Sequence, residues 1–207
     1  MNQIITISRE FGSGGRELGR RLSETLGIAY YDQEIITEIA KRTELDEDYV
    51  RQITENKPAA PYPIHIGVSF QRTVNEMFMQ KVTVFREQCN LLKELAERSD
   101  CVIVGRCADV ILAYLNPFRI FVFADQASKL SRCQARAPEH EKISQTEMER
   151  RMRRIDMNRA RQHEMVAGIP WGAKDGYDLC INTSGKEIKS LIPAIANYAA
   201  GWFGEKG

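Results

Sequence analysis

The sequence predicts a three-layer α/β fold, with a five-stranded parallel sheet covered by helices on both faces. Two observations predict it. Five short runs of β-branched and other apolar residues are separated by longer segments whose apolar residues recur three and four apart. The first of these runs also passes through a glycine-rich turn straight into a helical segment.

Taken in order, residues 4–7 (Ile-Ile-Thr-Ile) predict a buried first strand. Gly12, Ser13, Gly14 and Gly15 form the turn, and Leu18, Leu22 and Leu26 mark one face of a helix over 16–26. Gly27 stops that helix, residues 28–32 form a second short strand, and 33–42 another helix. Asp46 is a cap for a further short helix. Residues 57–63, Lys-Pro-Ala-Ala-Pro-Tyr-Pro, read as a breaker-rich loop, and a long helix runs over 73–98. Strands follow at 101–105 and 119–124, then a helix over 126–136 that stops near Pro138. Ser144 and Glu147 form a capping box that opens an arginine-rich helix. The last strand is 178–182, with a closing helix over 186–198.

The turn after the first strand has the geometry that holds phosphate. Glycines let backbone N–H groups approach an anion, and a helix N-terminus adds roughly half a positive charge. It departs from the pattern G-x-x-x-x-G-K-[ST]. With Gly14 as its second glycine, Arg9 stands at the first, Gly15 at the lysine and Arg16 at the hydroxyl residue. A guanidinium one residue late is still able to grip phosphate oxygens. The alternative is a glycine-rich turn with no ligand. Open α/β sheets bind ligands at the carboxyl ends of their strands. That selects residues 9–16, Asp32, Gly105-Arg106 and Ala124-Asp125 for one cleft. Asp32 also reads as a plain cap for the next helix, and Arg106 as a surface residue.

Residues 149–161 carry six arginines. Met148, Met152 and Ile155 make an apolar stripe, while Glu149, Arg153, Asp156 and Ala160 lie beside it with Arg159 at the border. Such a helix either clamps polyphosphate or is a solvated face with i, i+4 pairs such as Glu149–Arg153. No aromatic residues alternate with these arginines, which weakens a nucleic-acid reading.

A length of 207 residues fits one domain, and 43% hydrophobic residues suffice for a core. A net charge of +1 makes no general case for nucleic acid or membrane surfaces. The five cysteines are scattered without a C-x-x-C pair, so no metal site is expected, and Cys101 and Cys180 read as small core residues. With no signal segment and no long apolar span, the cytoplasm is the expected location. A tryptophan at position 171 reads as a packing anchor or a ligand contact.

Five segments taken together resemble one family nearly from end to end. They are I-T-I-S-R-E-F-G-S-G-G-R-E-L-G, G-I-A-Y-Y-D, V-I-V-G-R, I-D-M-N-R and Y-D-L-C-I-N-T-S. The chain resembles the cytidylate kinase-like group of P-loop nucleoside monophosphate kinases. The resemblance implies a P-loop NTPase-type domain over 1–207, with a helical substrate lobe at about 33–98 and an arginine-rich lid at about 138–176. It implies ATP as donor, magnesium arriving on ATP with no protein ligand named, and a nucleoside monophosphate, CMP or dCMP, as acceptor. Small-molecule nucleotides are then the partners, not nucleic acid or membrane, and the oligomeric state is left open.

Residue by residue, the likeness places the phosphate loop on Gly12, Ser13, Gly14, Gly15, Arg16 and Glu17. The substrate-side aspartate falls on Asp32, the monophosphate-binding arginine on Arg106, and the lid's D-x-N-R on Asp156 to Arg159. Arg132 and Arg136 follow as phosphate contacts. In this scheme Arg16 stands in for the missing lysine, and Arg153 and Arg159 close over the transferring group. Asp32 and Asp156 orient acceptor groups or arginines. Three positions depart from the true cytidylate kinases: no loop lysine, Cys107 where aspartate is frequent, and Met152 where a lid arginine is expected. These departures keep open two other functions, a nucleotide-binding regulator and a kinase for another small acceptor.

Overall fold

The computed structural model of the chain describes residues 2–54, 70–136 and 144–204, with backbone alone for 70–75. The breaker loop at 57–63, Pro138, and parts of the expected substrate lobe and lid lie outside the described residues.

Strands β1 (Ile4–Arg9), β2 (Ala29–Tyr31), β3 (Cys101–Val104), β4 (Phe118–Phe123) and β5 (Leu179–Asn182) form one parallel sheet in the order β2-β3-β1-β4-β5. The helices among the described residues are α1 (Gly15–Leu26), α2 (Glu34–Thr43), α3 (Glu47–Thr54), α4 (Phe70–Arg98), α5 (Ala108–Ile111), α6 (Gln126–Arg136), α7 (Gln145–Ala167) and α8 (Ile188–Gly204).

Strand alternation builds the layers, because successive residues face opposite sides of the sheet. Ile5, Ile7, Val102, Val104, Ile120 and Val122 pack with Leu18 and Leu22 of α1 and Ile188 and Ile192 of α8. Ile4, Cys101 and Ile103 pack on the other face with Ile36 and Ile39 of α2 and Leu91 and Leu92 of α4. Both faces are covered, so the strand sequences are apolar without alternation. Each such Ile or Leu contributes about 1.5–3 kcal/mol by leaving water.

Local signals set the ends of the helices. Gly27, at φ 68°, closes α1 by donating its N–H to Ser23 O. Asp46 Oδ1 accepts from Tyr49 N at 3.1 Å ahead of α3. Ser144 Oγ accepts from Glu147 N at 3.3 Å at the start of α7.

Three features differ from expectation. The four-residue α5 is too short to carry a periodic signal. Helix α8 continues past Tyr198 to Gly204, because Trp202 (tilted) and Phe203 (edge-on) pack on Phe118 with ring centroids 5.3 and 6.3 Å away. Cys101 is a core residue as expected, but Cys180 is exposed: β5 is an edge strand, and its alternate residues Cys180 and Asn182 face outward.

Candidate functional site

The chain leaves β1 at Arg9, crosses the top of the sheet and enters α1 at Gly15. This loop is tied down on every side. Ser13 is buried, and its N–H and Oγ both donate to Glu10 O, at 3.3 and 2.8 Å. From the far side of the sheet, Thr183 Oγ1 donates to Ser13 O at 2.7 Å. Phe11 N donates to Asp156 Oδ1 on α7 at 2.7 Å. Glu10 is held by Lys129 Nζ on α6 at 3.0 Å. The cap position of α1 is Gly14, at φ 84°, and no side chain caps this helix. The first-turn N–H groups are therefore left for a ligand, as phosphate recognition requires.

The loop cleft encloses about 320 Å³, at the lower end of the roughly 300–1,000 Å³ typical of small-molecule sites. Its lining includes Gly12, Gly14 and Gly15 and six arginines: Arg9, Arg16, Arg132, Arg136, Arg151 and Arg159. Glu10 is the one carboxylate in that lining, and it is already paired with Lys129. A second cavity of about 470 Å³ adjoins the first, sharing Arg16 and Arg136 and adding Tyr30 and Asp32.

The expected residues separate into four groups. Arg16, Arg132 and Arg159 reach the cleft. Arg159 Nη1 donates to Arg9 O at 3.0 Å, and its guanidinium lies 5.8 Å from the centre of the Phe11 ring. Arg132 donates to Thr183 O at 2.5 Å and Lys186 O at 3.0 Å, so it braces the turn between β5 and α8 while facing the loop. Arg16 Nε pairs with Asp32 Oδ2 at 2.5 Å, which directs its side chain toward the second cavity.

Asp32, Asp156 and Glu17 hold protein groups. Asp32 is buried and does not cap α2, whose cap position Gln33 lacks a side-chain bond. Its Oδ2 holds Arg16, and its Oδ1, 3.8 Å from Arg9 Nη2, has no hydrogen-bond partner among the described residues. Asp156 anchors the loop through Phe11. Burial pushes its carboxyl up to about 6, against the opposing pull of the Phe11 amide and the Arg159 and Lys129 cations. Glu17 is engaged by Arg21 at 2.8 Å and by Arg136.

Arg153 is the exception. It is turned away from the loop into a separate cavity of about 360 Å³ with Met157 and Trp171, where it pairs loosely with Glu149 at 4.0 Å. Met152 is buried against Leu130 and Met148, and this sets the rotation of α7. The helix then sends Arg151 into the cleft and Arg153 out of it. Trp171 meets Phe121 edge-on at 5.2 Å, as a packing anchor does.

Arg106 sits at the end of β3 in a turn where Gly105, Arg106 and Cys107 all have left-handed φ, at 77°, 61° and 53°. Left-handed non-glycine residues cost of order 1–3 kcal/mol each and cluster at functional sites. Gln88, buried on α4, holds this turn by donating to Arg106 O at 3.0 Å.

The sequence reading placed Arg9 in the cleft-forming segment 9–16 but gave it no role of its own. Its signal was present: odd positions of β1 face α1, so a charged residue at position 9 points at the loop. No group of three His, Cys, Asp or Glu able to hold a metal occurs among the described residues. No helix among them is long and apolar enough to cross a membrane.

Sheet, loop and cleft define a three-layer α/β fold with a five-stranded parallel sheet, and solved structures share it. An uncharacterized protein from Eubacterium ventriosum superposes with a TM-score of 0.67 at 25% identity, covering 96% of this chain and 98% of that one. Shikimate kinase from Bacteroides thetaiotaomicron gives 0.56 at 14% identity, covering 95% and 97%. Shikimate kinase from Acinetobacter baumannii, solved with shikimate, gives 0.52 at 16%, covering 97% and 94%. No curated protein matches the chain. The model of the cytidylate kinase-like family matches residues 4–185, and the chain belongs to that family. Family and fold together support phosphoryl transfer to a small acceptor.

Proposed function

We propose that the protein transfers the terminal phosphoryl group of ATP to a nucleoside monophosphate, with CMP or dCMP as the first acceptors to test. The observation that carries this reading is the cleft at the uncapped N-terminus of α1, lined by six arginines and adjoining a second cavity at Asp32. An arginine-rich, tightly braced glycine loop fits a polyphosphate, because its fixed cations and amides need no rearrangement to meet anionic oxygens.

Bound ATP supplies the terminal phosphoryl group, whose bond to the bridging oxygen breaks as an acceptor oxygen bonds to phosphorus, ADP keeping the electron pair. The chain's residues position and neutralise. The amides of Ser13 to Arg16 and the guanidinium of Arg132 hold the donor. Arg159 and Arg151, on the lid at about 138–176, close over it and exclude water. Arg106 holds the acceptor's phosphate, and Asp32 with Arg16 orients the acceptor from a substrate lobe at about 33–98. Protein ligands for magnesium do not fit the loop: Ser13 Oγ is buried and donates to Glu10 O, and Glu17 is engaged by two arginines. Magnesium is then held through the phosphates themselves.

A different small acceptor is the second reading, favoured by the second cavity's mixture of Arg16, Arg20 and Arg21 with Asp32 and Glu34. The test is a turnover panel with Mg-ATP and, separately, CMP, dCMP, UMP, AMP, GMP and shikimate, with products separated by chromatography. The expected outcome is CDP or dCDP formation that disappears with Arg16→Ala. Product from UMP, AMP or GMP keeps the first reading with another base, and product from shikimate alone establishes the second. ATP binding without transfer to any acceptor establishes a regulator.

A further inference from the structure

Gly15 stands where a phosphate-loop lysine is expected, and the structure fills the gap from another direction. Arg9 leaves the end of β1 on the α1 side, and its stem passes over Gly15. A Cβ on Gly15 would fall 2.5 Å from Arg9 Cβ. The guanidinium ends beneath the turn after β3, where a Cβ on Gly105 would fall 1.8 Å from Nη1. Two glycines therefore clear a path for one side chain, from the donor loop to the turn that carries Arg106.

The charge around Arg9 is unbalanced. Its side chain is only 14% exposed, and it lines the cleft beside Arg16 and Arg159. Among the described residues, the one carboxylate near its guanidinium is Asp32, at 3.8 Å, and Asp32 is already bound to Arg16 at 2.5 Å. Burial first, and then the Arg159 charge, weaken its hold on its proton, although arginine stays charged at neutral pH. A buried cation that shares a carboxylate with a second cation is costly. An anion delivered into the cleft supplies the missing counter-charge.

We propose that Arg9 is the cation that meets the transferring phosphoryl group, taking the task of the absent lysine, and that Arg16 is a positioning residue on the acceptor side. The inference rests on the phosphoryl-transfer reading above. A purely structural Arg9 would brace the loop and serve every nucleotide alike. An Arg9 that meets the terminal phosphoryl group distinguishes nucleotides that carry it from those that do not.

The experiment is calorimetric titration of the full-length protein with Mg-ADP and with the magnesium complex of the β,γ-imido analogue of ATP. Wild type, Arg9→Gln and Arg9→Lys are compared, with a thermal melt of each unliganded protein. Arg9→Gln is expected to weaken the analogue roughly 10- to 100-fold, the equivalent of one charged hydrogen bond, while ADP changes by less than about threefold. Arg9→Lys recovers part of the loss. Unliganded Arg9→Gln melts at or above wild type, because a poorly compensated buried charge is gone. Equal loss for both nucleotides, no loss for either, or unfolding or a markedly lower melting temperature of Arg9→Gln overturns the proposal. A wild type that binds neither nucleotide overturns the phosphoryl-transfer reading itself, and this inference falls with it.

Discussion

Phe11 N–H donates to Asp156 Oδ1 at 2.7 Å, joining the glycine loop to helix α7 across 145 residues of sequence. Asp156 therefore holds the loop as a positioning residue, and its carboxyl titrates near 6 because it is buried. The sign follows from linkage. The folded state binds this proton more tightly than the unfolded chain, whose aspartate titrates near about 3.9. The contribution of Asp156 to stability is then full below about 4 and is lost as pH rises through about 6. Asp156→Asn keeps an oxygen for Phe11 and carries no charge to bury. It is expected to stabilise the protein at pH 7 by on the order of 1–3 kcal/mol, an advantage that disappears below about pH 4. Urea unfolding of both proteins between pH 4 and 8 measures it, and a pH-independent difference refutes the assignment.

His163 on α7 meets Asp109 on α5 with Nε2 and Oδ2 2.8 Å apart, and both side chains are buried. Asp109→Ala leaves the imidazole without its partner. The expected loss is about 1–3 kcal/mol for a neutral hydrogen bond and about 3–5 kcal/mol for a true ion pair. Equilibrium denaturation gives the number, and the number reports which form the pair takes. A loss below a few tenths of a kcal/mol would mean the contact is energetically idle.

Gly105→Ala places a methyl group against the Arg9 guanidinium, at a residue whose φ of 77° already favours glycine. The cost is expected to be at least about 1–2 kcal/mol. Combining it with Arg9→Gln should recover part of that loss, so the double-mutant cycle is non-additive by about 0.5 kcal/mol or more. Strict additivity would separate the two residues.

Arg159 faces the loop and Arg153 does not. Arg159→Ala is expected to lower kcat by about 10³-fold, the scale of a charge-stabilising arginine in phosphoryl transfer. Arg153→Ala is expected to stay within about threefold of wild type, as a solvated surface pair does. Steady-state kinetics with the best acceptor from the panel decides it, and similar losses for both variants would return Arg153 to the site.

Arg106→Ala is expected to raise the KM of the acceptor more than that of ATP, because the proposed function gives Arg106 the acceptor's phosphate to hold. Equal effects on both KM values argue against this assignment.

Most of the fold was legible in the sequence. The apolar runs that became β1, β3 and β4, and the Leu18–Leu22 stripe of α1, encode their conformations locally, since backbone preference and burial periodicity act over a few residues. The glycine turn likewise located the loop, because a left-handed Gly14 at a helix start is a local requirement. Helix α5 escaped notice for the same reason in reverse, being too short to repeat any pattern.

The sequence by itself determined the layered sheet, the position of the glycine loop and the abundance of arginine around it. Only the tertiary structure decided which arginines face the loop. Burial of Met152 rotates α7 so that Arg151 enters the cleft and Arg153 leaves it. Asp32 draws Arg16 toward the second cavity, while Gly15 and Gly105 admit Arg9 between the glycine loop and the turn after β3. These choices join residues far apart along the chain. A guanidinium on a long flexible stem points wherever distant carboxylates and open space allow, and no local spacing records where those are.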